Sequence, residues 1–266
     1  TMTSAHQAAA TSDTQDGRIP AYEALARDIR SRGILTVFGL MSDDTAMFVT
    51  TLDAMGVRFY GARHENTAVA MAEGYAAATG ALGVAIIGRG PATANALHGT
   101  MYAHRTGSRV LLIFGASSTS QTGGPDAKAF NAAGVMHAAG LTTFLAANSA
   151  GARRTLGDAI DATQGGGCVS LLLPMNVQMG MVDYPGALAA PGPLAASPVQ
   201  RQAARAAAVE AAATVIARSR KPLFIVGLGA HRSGARAAIE RLADQVGAVI
   251  ATSLKGKDMF HGYAYN

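Results

Sequence analysis

The sequence predicts an α/β fold: a doubly wound parallel sheet, then a proline-rich break, then a second, incomplete α/β domain. Three observations predict it. Short apolar runs alternate with helical stretches. The runs are apolar at successive positions, so their strands are covered on both faces. Four of the nine prolines (Pro185, Pro191, Pro193 and Pro198) fall within residues 184–200, as in a linker. Hydrophobic residues make up 49% of the 266 residues and charged residues 15%, which excludes a mainly disordered chain.

Taken in order, residues 34–38 form a β-branched run and a first strand. Asp43 or Asp44 then caps a helix over 45–55. Residues 57–61 are the next strand. Residues 65–79 read as a helix, with Ala68, Val69, Ala72 and Ala76 in one apolar stripe and Gly80 where it stops. A fully apolar strand at 84–87 leads through Gly90 and Pro91 to a helix over about 93–102. Strands at 110–114, 142–146 and 169–173, with a helix near 150–162, complete the first part. Beyond the linker the pattern restarts with a helix (201–218), a strand (223–226), a helix (234–246) and a strand (248–252). Two strands and two helices are too few to close an α/β layer of the usual size. The expected division is therefore a disordered tail (1–17), a first domain (18–183), a linker (184–200) and a partial second domain (201–266).

Composition excludes several functions. The net charge is +5, but the basic residues are scattered and there is no Trp, so no clustered basic face or base-stacking run points to nucleic acid. The single cysteine, Cys168, cannot form an internal disulfide or a four-cysteine zinc site. It reads as a small buried hydrophobe, since an apolar strand raises a thiol pKa. No uncharged apolar stretch of 18 residues exists, so no membrane span is expected. Residues 1–17 lack the basic start and apolar middle of a secretory signal, leaving the cytoplasm as the expected compartment.

Glu65 is the unusual group. It sits at a strand-to-helix junction, at the carboxyl end of what reads as a central strand, where open α/β sheets bind ligands. A carboxylate is also favoured at a helix N-terminus by the dipole, so Glu65 reads either as a functional group or as a helix-start residue. The loop from Gly88 through Arg89, Gly90 and Pro91 to Ala92 follows the next strand and opens a helix. It fits neither the P-loop nor the dinucleotide fingerprint and reads as a tight turn or a site. Gly227 and Gly229 follow a strand and precede a helix, but position 232 is Arg where the dinucleotide pattern needs Gly. A tight turn is the simpler reading and a nucleotide site the alternative.

The blocks RHENTAVAMAEGYAAATG, GVAIIGRGPATANALHG and VLLIFG together resemble the N-terminal pyrimidine-binding domain of thiamine diphosphate-dependent enzymes, within the acetolactate synthase-like and 2-oxo acid decarboxylase group. The resemblance covers residues 19–182. Past the linker, the stretch from KPLFIVGLGAHRSGA to KGKDMFHG resembles the start of that family's central domain.

The resemblance implies that Glu65 is the activating glutamate. Its carboxyl would hydrogen-bond the aminopyrimidine ring nitrogen and favour the imino tautomer that removes the thiazolium proton, an acid–base role with a tuned carboxyl. Gly39 and Leu40 match the first-strand loop, although its usual proline is missing. Gly90, Pro91 and Asn95 match the loop that flanks the pyrimidine. Ala92 stands where a second glycine is usual, Arg89 where a small hydroxyl residue is usual, and Arg105 near a position that is often acidic. Asn131 occupies a position where relatives carry a substrate-side glutamine. His98 and His104, on or just after the following helix, are candidates to face the cleft.

By the same resemblance, the cofactor is thiamine diphosphate with Mg2+. The diphosphate and metal are expected on a C-terminal domain whose Gly-Asp-Gly start does not occur here, so no metal ligand is assigned within this chain. The expected partners are a second copy in a homo-oligomer, dimer or tetramer, and the missing diphosphate-binding domain or a partner subunit carrying it. The expected activity is cleavage or formation of a C–C bond in a 2-oxo acid, with the chain alone inactive. The alternative of another class is a non-catalytic assembly subunit that keeps the domain's dimer surface.

Overall fold

The computed structural model describes residues 17–120, 126–186 and 204–266. The chain divides into two compact units, with the boundary between Ser197 and Pro198. The expected tail, apart from Gly17, and residues 187–200 of the expected linker lie outside the described residues.

The first unit runs β1 (Arg18–Pro20), α1 (Ala21–Ser31), β2 (Thr36–Leu40), α2 (Ala46–Ala54), β3 (Arg58–Gly61), α3 (Glu65–Thr79), β4 (Gly83–Ile87), α4 (Pro91–Asn95), α5 (Leu97–Arg105), β5 (Val110–Ala116), α6 (Ala132–Ala138), β6 (Thr142–Leu145), α7 (Ser149–Ala162), β7 (Cys168–Pro174), α8 (Met175–Met179) and β8 (Met181–Asp183). Six strands form a parallel sheet in the order β3-β2-β4-β5-β7-β6. This is the doubly wound α/β architecture.

The strand pleat sorts the core. On β4 and β5, Val84, Ile86, Leu111 and Ile113 join Leu25, Ile29, Phe48, Leu52, Leu156 and Ile160 on the face covered by α1, α2 and α7. Ala85, Ile87, Leu112 and Phe114 join Val69, Ala72 and Met136 on the face covered by α3, α5 and α6. Burial of each large aliphatic or aromatic side chain contributes roughly 1.5–3 kcal/mol. Both faces are covered, so the strands read as continuous apolar runs.

Several details differ from the sequence reading. The strand leading to Glu65, β3, is an edge strand, not a central one. The helix expected at 93–102 is two helices that meet at Ala96. Helix α1 and the antiparallel β1–β8 pair were not predicted. Neither Asp43 nor Asp44 caps α2, whose cap position is Thr45 with no side-chain cap bond; Asp44 turns inward instead.

Two ion pairs fasten α1 to α7. Arg153 grips the buried Asp28 with Nε and Nη2 at 2.7 and 2.8 Å, and Arg32 Nη1 donates to Asp161 at 2.7 Å. The Arg153 guanidinium also lies 4.3 Å from the Tyr184 ring centroid and donates to Gly186 O at 2.8 Å. Residues 184–186, read as the start of the linker, are thus held on the first unit.

The second unit contains α9 (Ala206–Arg218), β9 (Leu223–Val226), α10 (Leu228–Arg232), α11 (Arg236–Val246), β10 (Val249–Thr252) and a 3-10 turn at Leu254–Gly256. Its two strands pair in parallel. Val226, Ala243, Ile250, Met259 and Phe260 form its small core. Among the described residues, no helix is long and apolar enough to cross a membrane.

Candidate functional site

The winding of the sheet reverses beside β2: the chain passes outward to β3 and returns to β4 on the other side. Loops separate at such a point, and ligands bind there beyond the carboxyl ends of the strands. Leu40 ends β2, and the segments after β3 and β4 lead to Glu65 and carry Gly90.

Glu65 opens α3 and is buried, at 8% exposure. The helix start is fixed by His64, whose side chain stands at the cap position and accepts from Asn66 N through Nδ1 at 3.1 Å. An N-cap acceptor satisfies one of the helix's unpaired donors, and here it also sets where the first-turn carboxyl begins. Asn95, the last residue of α4, donates through Nδ2 to Glu65 Oε2 at 3.1 Å. Oε1 accepts from no described residue. The arrangement is a buried carboxyl with one oxygen anchored and the other open to a partner. It fits a group that offers a ring nitrogen, as an aminopyrimidine does.

Gly90 makes the turn into α4 with φ 66° and ψ −119°, and a Cβ there would overlap Lys128 O. Glycine is required by the backbone and by this close approach. Pro91 follows at the first helical position, where a missing N–H costs nothing. Gly39 lies near the carboxyl end of β2, and a Cβ there would overlap Ile86 O. Its glycine is therefore required by strand packing. Leu40 ends the same strand, half-buried.

The remaining candidates separate. Asn131 caps α6, accepting from Gly134 N at 2.9 Å. His98 is exposed on α5, one turn beyond Asn95. His104 is at the opposite end of α5, with Nε2 3.3 Å from where a Cβ on Gly140 would lie. That end of α5 leads to the amino end of β5, away from Glu65, so the structure does not bring His104 to the cleft. Gly227 precedes the five-residue α10, and an added Cβ at Gly229 would meet open space; no close approach requires glycine there. Cys168 is buried, and burial pushes its thiol pKa up to about 12.

Sequence reasoning missed the polar network behind the Gly-Pro loop. Asp44, 3% exposed, accepts from Ser42 Oγ at 2.5 Å and from Arg89 N at 3.0 Å. The Arg89 side chain donates to Asp126 at 2.6 Å and to Ser117 at 3.3 Å, and Lys128 donates to Asp43 at 2.7 Å. Bonds from Lys128 N and Ser117, then the Arg89 guanidinium, hold the Asp126 carboxyl below its usual range. The Lys128 ammonium, aided by Ser42, lowers Asp43 to about 2. An arginine at 89, in place of a small hydroxyl residue, was the visible signal that this loop has an uncommon partner. Among the described residues, no group of three or more His, Cys, Asp or Glu side chains could hold a metal ion.

Comparison with known proteins identifies the domains that carry these residues. Residues 20–141 match the N-terminal TPP binding domain of thiamine pyrophosphate enzymes, and residues 209–264 match the central domain of the same enzymes. The chain is 27% identical over 248 residues to a probable acetolactate synthase large subunit of Methanocaldococcus jannaschii, covering 90% of this chain and 41% of that protein. It is 26% identical over 253 residues to an acetolactate synthase of Arthrospira platensis, covering 91% and 43%. Over a shorter stretch of 97 residues, 36% of this chain and 15% of the other, it is 35% identical to 2-hydroxyacyl-CoA lyase 2 of Mus musculus. The chain thus spans about two fifths of the length of the acetolactate synthases it matches. With the Glu65 and Gly90 segments inside the first match and β9 to β10 inside the second, the chain belongs to the thiamine pyrophosphate enzymes, in their acetolactate synthase-like group.

Proposed function

We propose that this chain forms the pyrimidine side of the thiamine diphosphate site in an enzyme that makes or breaks a C–C bond in a 2-oxo acid, with Glu65 as the activating carboxyl. The observation that carries the proposal is the buried Glu65 carboxyl, anchored through Oε2 by Asn95 and open at Oε1. When bound, thiamine diphosphate supplies the nucleophilic carbon and the electron sink for chemistry beside a carbonyl.

The chain's own residues bind and orient. Glu65 holds a proton at its open oxygen toward the pyrimidine nitrogen. Asn95 fixes the carboxyl plane, and burial at the sheet edge removes competing water. Gly39, Leu40, Gly90 and Pro91 supply the backbone walls between β2 and β4. The diphosphate and Mg2+ are assigned to a further domain or a partner subunit in a homo-oligomer of the cytoplasm. The greater length of the acetolactate synthase relatives supports that division.

The test is turnover of pyruvate with thiamine diphosphate and Mg2+ by the active enzyme assembled with this chain. Glu65→Gln should lower turnover by at least about 100-fold, the scale of a lost acid–base group, while the fold stays intact. Full turnover in that variant would overturn the proposal.

A further inference from the structure

Asp44 is a buried carboxylate that the proposed chemistry does not use, and it stands where four strand ends meet. Its Oδ2 accepts from the backbone N–H of Arg89, inside the Gly-Pro loop that follows β4. Its Oδ1 accepts from Ser42, after β2. A Cβ on Gly115 of β5 would overlap Oδ2, and a Cβ on Gly88 would lie 3.2 Å from Oδ1. Its backbone carbonyl accepts from Gln178 of α8 at 2.8 Å, and the same Gln178 nitrogen donates to Leu173 O of β7 at 3.2 Å.

A buried carboxylate is tolerated only when its oxygens are satisfied, and here Oδ1 accepts from Ser42 at 2.5 Å and Oδ2 from Arg89 N at 3.0 Å. The bond to Arg89 N falls one residue before Gly90, whose positive φ sets the direction of α4. Helix α4 has only five residues and ends at Asn95, the residue that anchors Glu65. A change in the loop's position is therefore carried through one helical turn to the Asn95 amide.

We infer that Asp44 is a positioning residue for the proposed cofactor site: its carboxylate clamps the Arg89 N–H, fixes the turn at Gly90, and so holds Asn95 against Glu65. The inference rests on the proposed function for its purpose, but the clamp is measurable without cofactor. The glycine at 115 follows from it, since it leaves room for this carboxylate, and Gly88 leaves room for Ser42, which donates to it.

Amide exchange of the cofactor-free chain tests the clamp, followed residue by residue with NMR. In the unmutated chain the Arg89 N–H should be protected although it lies in a loop. Asp44→Ala should speed exchange over residues 88–95 by at least about tenfold and shift the Asn95 side-chain amide resonance. Amides of α1 and α7 should stay within about twofold of their original rates. Gly115→Ala should do the same by displacing the carboxylate, and Asp44→Asn, which keeps an acceptor oxygen, should restore the unmutated pattern.

An unprotected Arg89 amide in the unmutated chain would overturn the inference, and this reading decides the matter if the variants do not fold. Uniform acceleration across β2, β4 and β5, with Asn behaving like Ala, would also overturn it by showing a merely structural role. Adding thiamine diphosphate and Mg2+ to the labelled chain, assembled with the domain or subunit that holds the diphosphate, separates the two claims. If the clamp is seen but the cofactor leaves Asn95 undisturbed, the proposed function fails and the clamp stands.

Discussion

Asn95 Nδ2 donates to Glu65 Oε2 at 3.1 Å, joining the end of α4 to the first turn of α3 across 30 positions of sequence. The bond leaves Glu65 with one fixed and one open oxygen, and it makes the Gly-Pro loop responsible for the carboxyl's orientation. Asn95→Ala should therefore act on function more than on stability. A single hydrogen bond from an exposed side chain contributes about 1–2 kcal/mol, so chemical denaturation should move only modestly. Turnover in the assembled enzyme should fall by about tenfold, one decade of transition-state stabilisation.

Gly90→Ala should be costly. Position 90 combines φ 66°, ψ −119° with backbone contact at Lys128 O. Backbone strain of this kind costs about 1–3 kcal/mol, and relief of the overlap must move either the loop or the 126–131 segment. Urea denaturation should show a loss of at least about 2 kcal/mol. Gly229→Ala should change stability by less than about 0.5 kcal/mol, since an added Cβ there meets nothing.

Arg153 and Asp28 make the strongest polar link between α1 and α7. The Asp28 side chain is 1% exposed and that of Arg153 11%, so truncating one partner leaves a buried charge poorly matched. Arg153→Ala should destabilise the chain by about 3 kcal/mol or more. Arg153→Lys should recover only part of that loss, because an ammonium cannot reproduce the bidentate grip. Equilibrium unfolding of the two variants checks both statements.

Cys168 links pH to stability. Its thiol is pushed up to about 12 in the folded chain from an ordinary value of 9.0, by burial. A group whose folded pKa is raised contributes stability that is complete below the unfolded pKa and is lost as pH rises through the folded value. Folding stability should therefore fall between about pH 9 and pH 12, and Cys168→Ala should flatten that part of the profile. In the native chain at pH 8, a thiol reagent should label Cys168 only as fast as the protein opens.

Most of the first unit was legible in sequence because its strands are apolar on both faces and each is followed by a turn or helix-start signal. The two motif blocks drew attention to Glu65 and Asn95, and the structure brings their side chains together. The edge position of β3 was not, because strand order is set by long-range pairing that leaves no local pattern. Asp44 was misread because Asp before a helix normally caps it; here the Arg89 N–H from a distant loop and the neighbouring Ser42 hydroxyl take its carboxylate instead. His98 and His104 were both candidates because sequence does not show which end of α5 borders the cleft; the nine-residue helix puts His104 at the end away from Asn95. The three-residue strands β1 and β8 are too short to show a period.

The central claim is that the Glu65–Asn95 pair receives the pyrimidine of thiamine diphosphate, and an NMR titration of the isotope-labelled chain, assembled with the domain or subunit that holds the diphosphate, with the cofactor and Mg2+ tests it most directly. The account predicts shifts concentrated at Glu65, Asn95, Gly39, Leu40 and Gly88 to Pro91, and their loss in Glu65→Gln. Shifts centred on Gly227 and Gly229, or a spectrum unchanged at saturating cofactor, would contradict it.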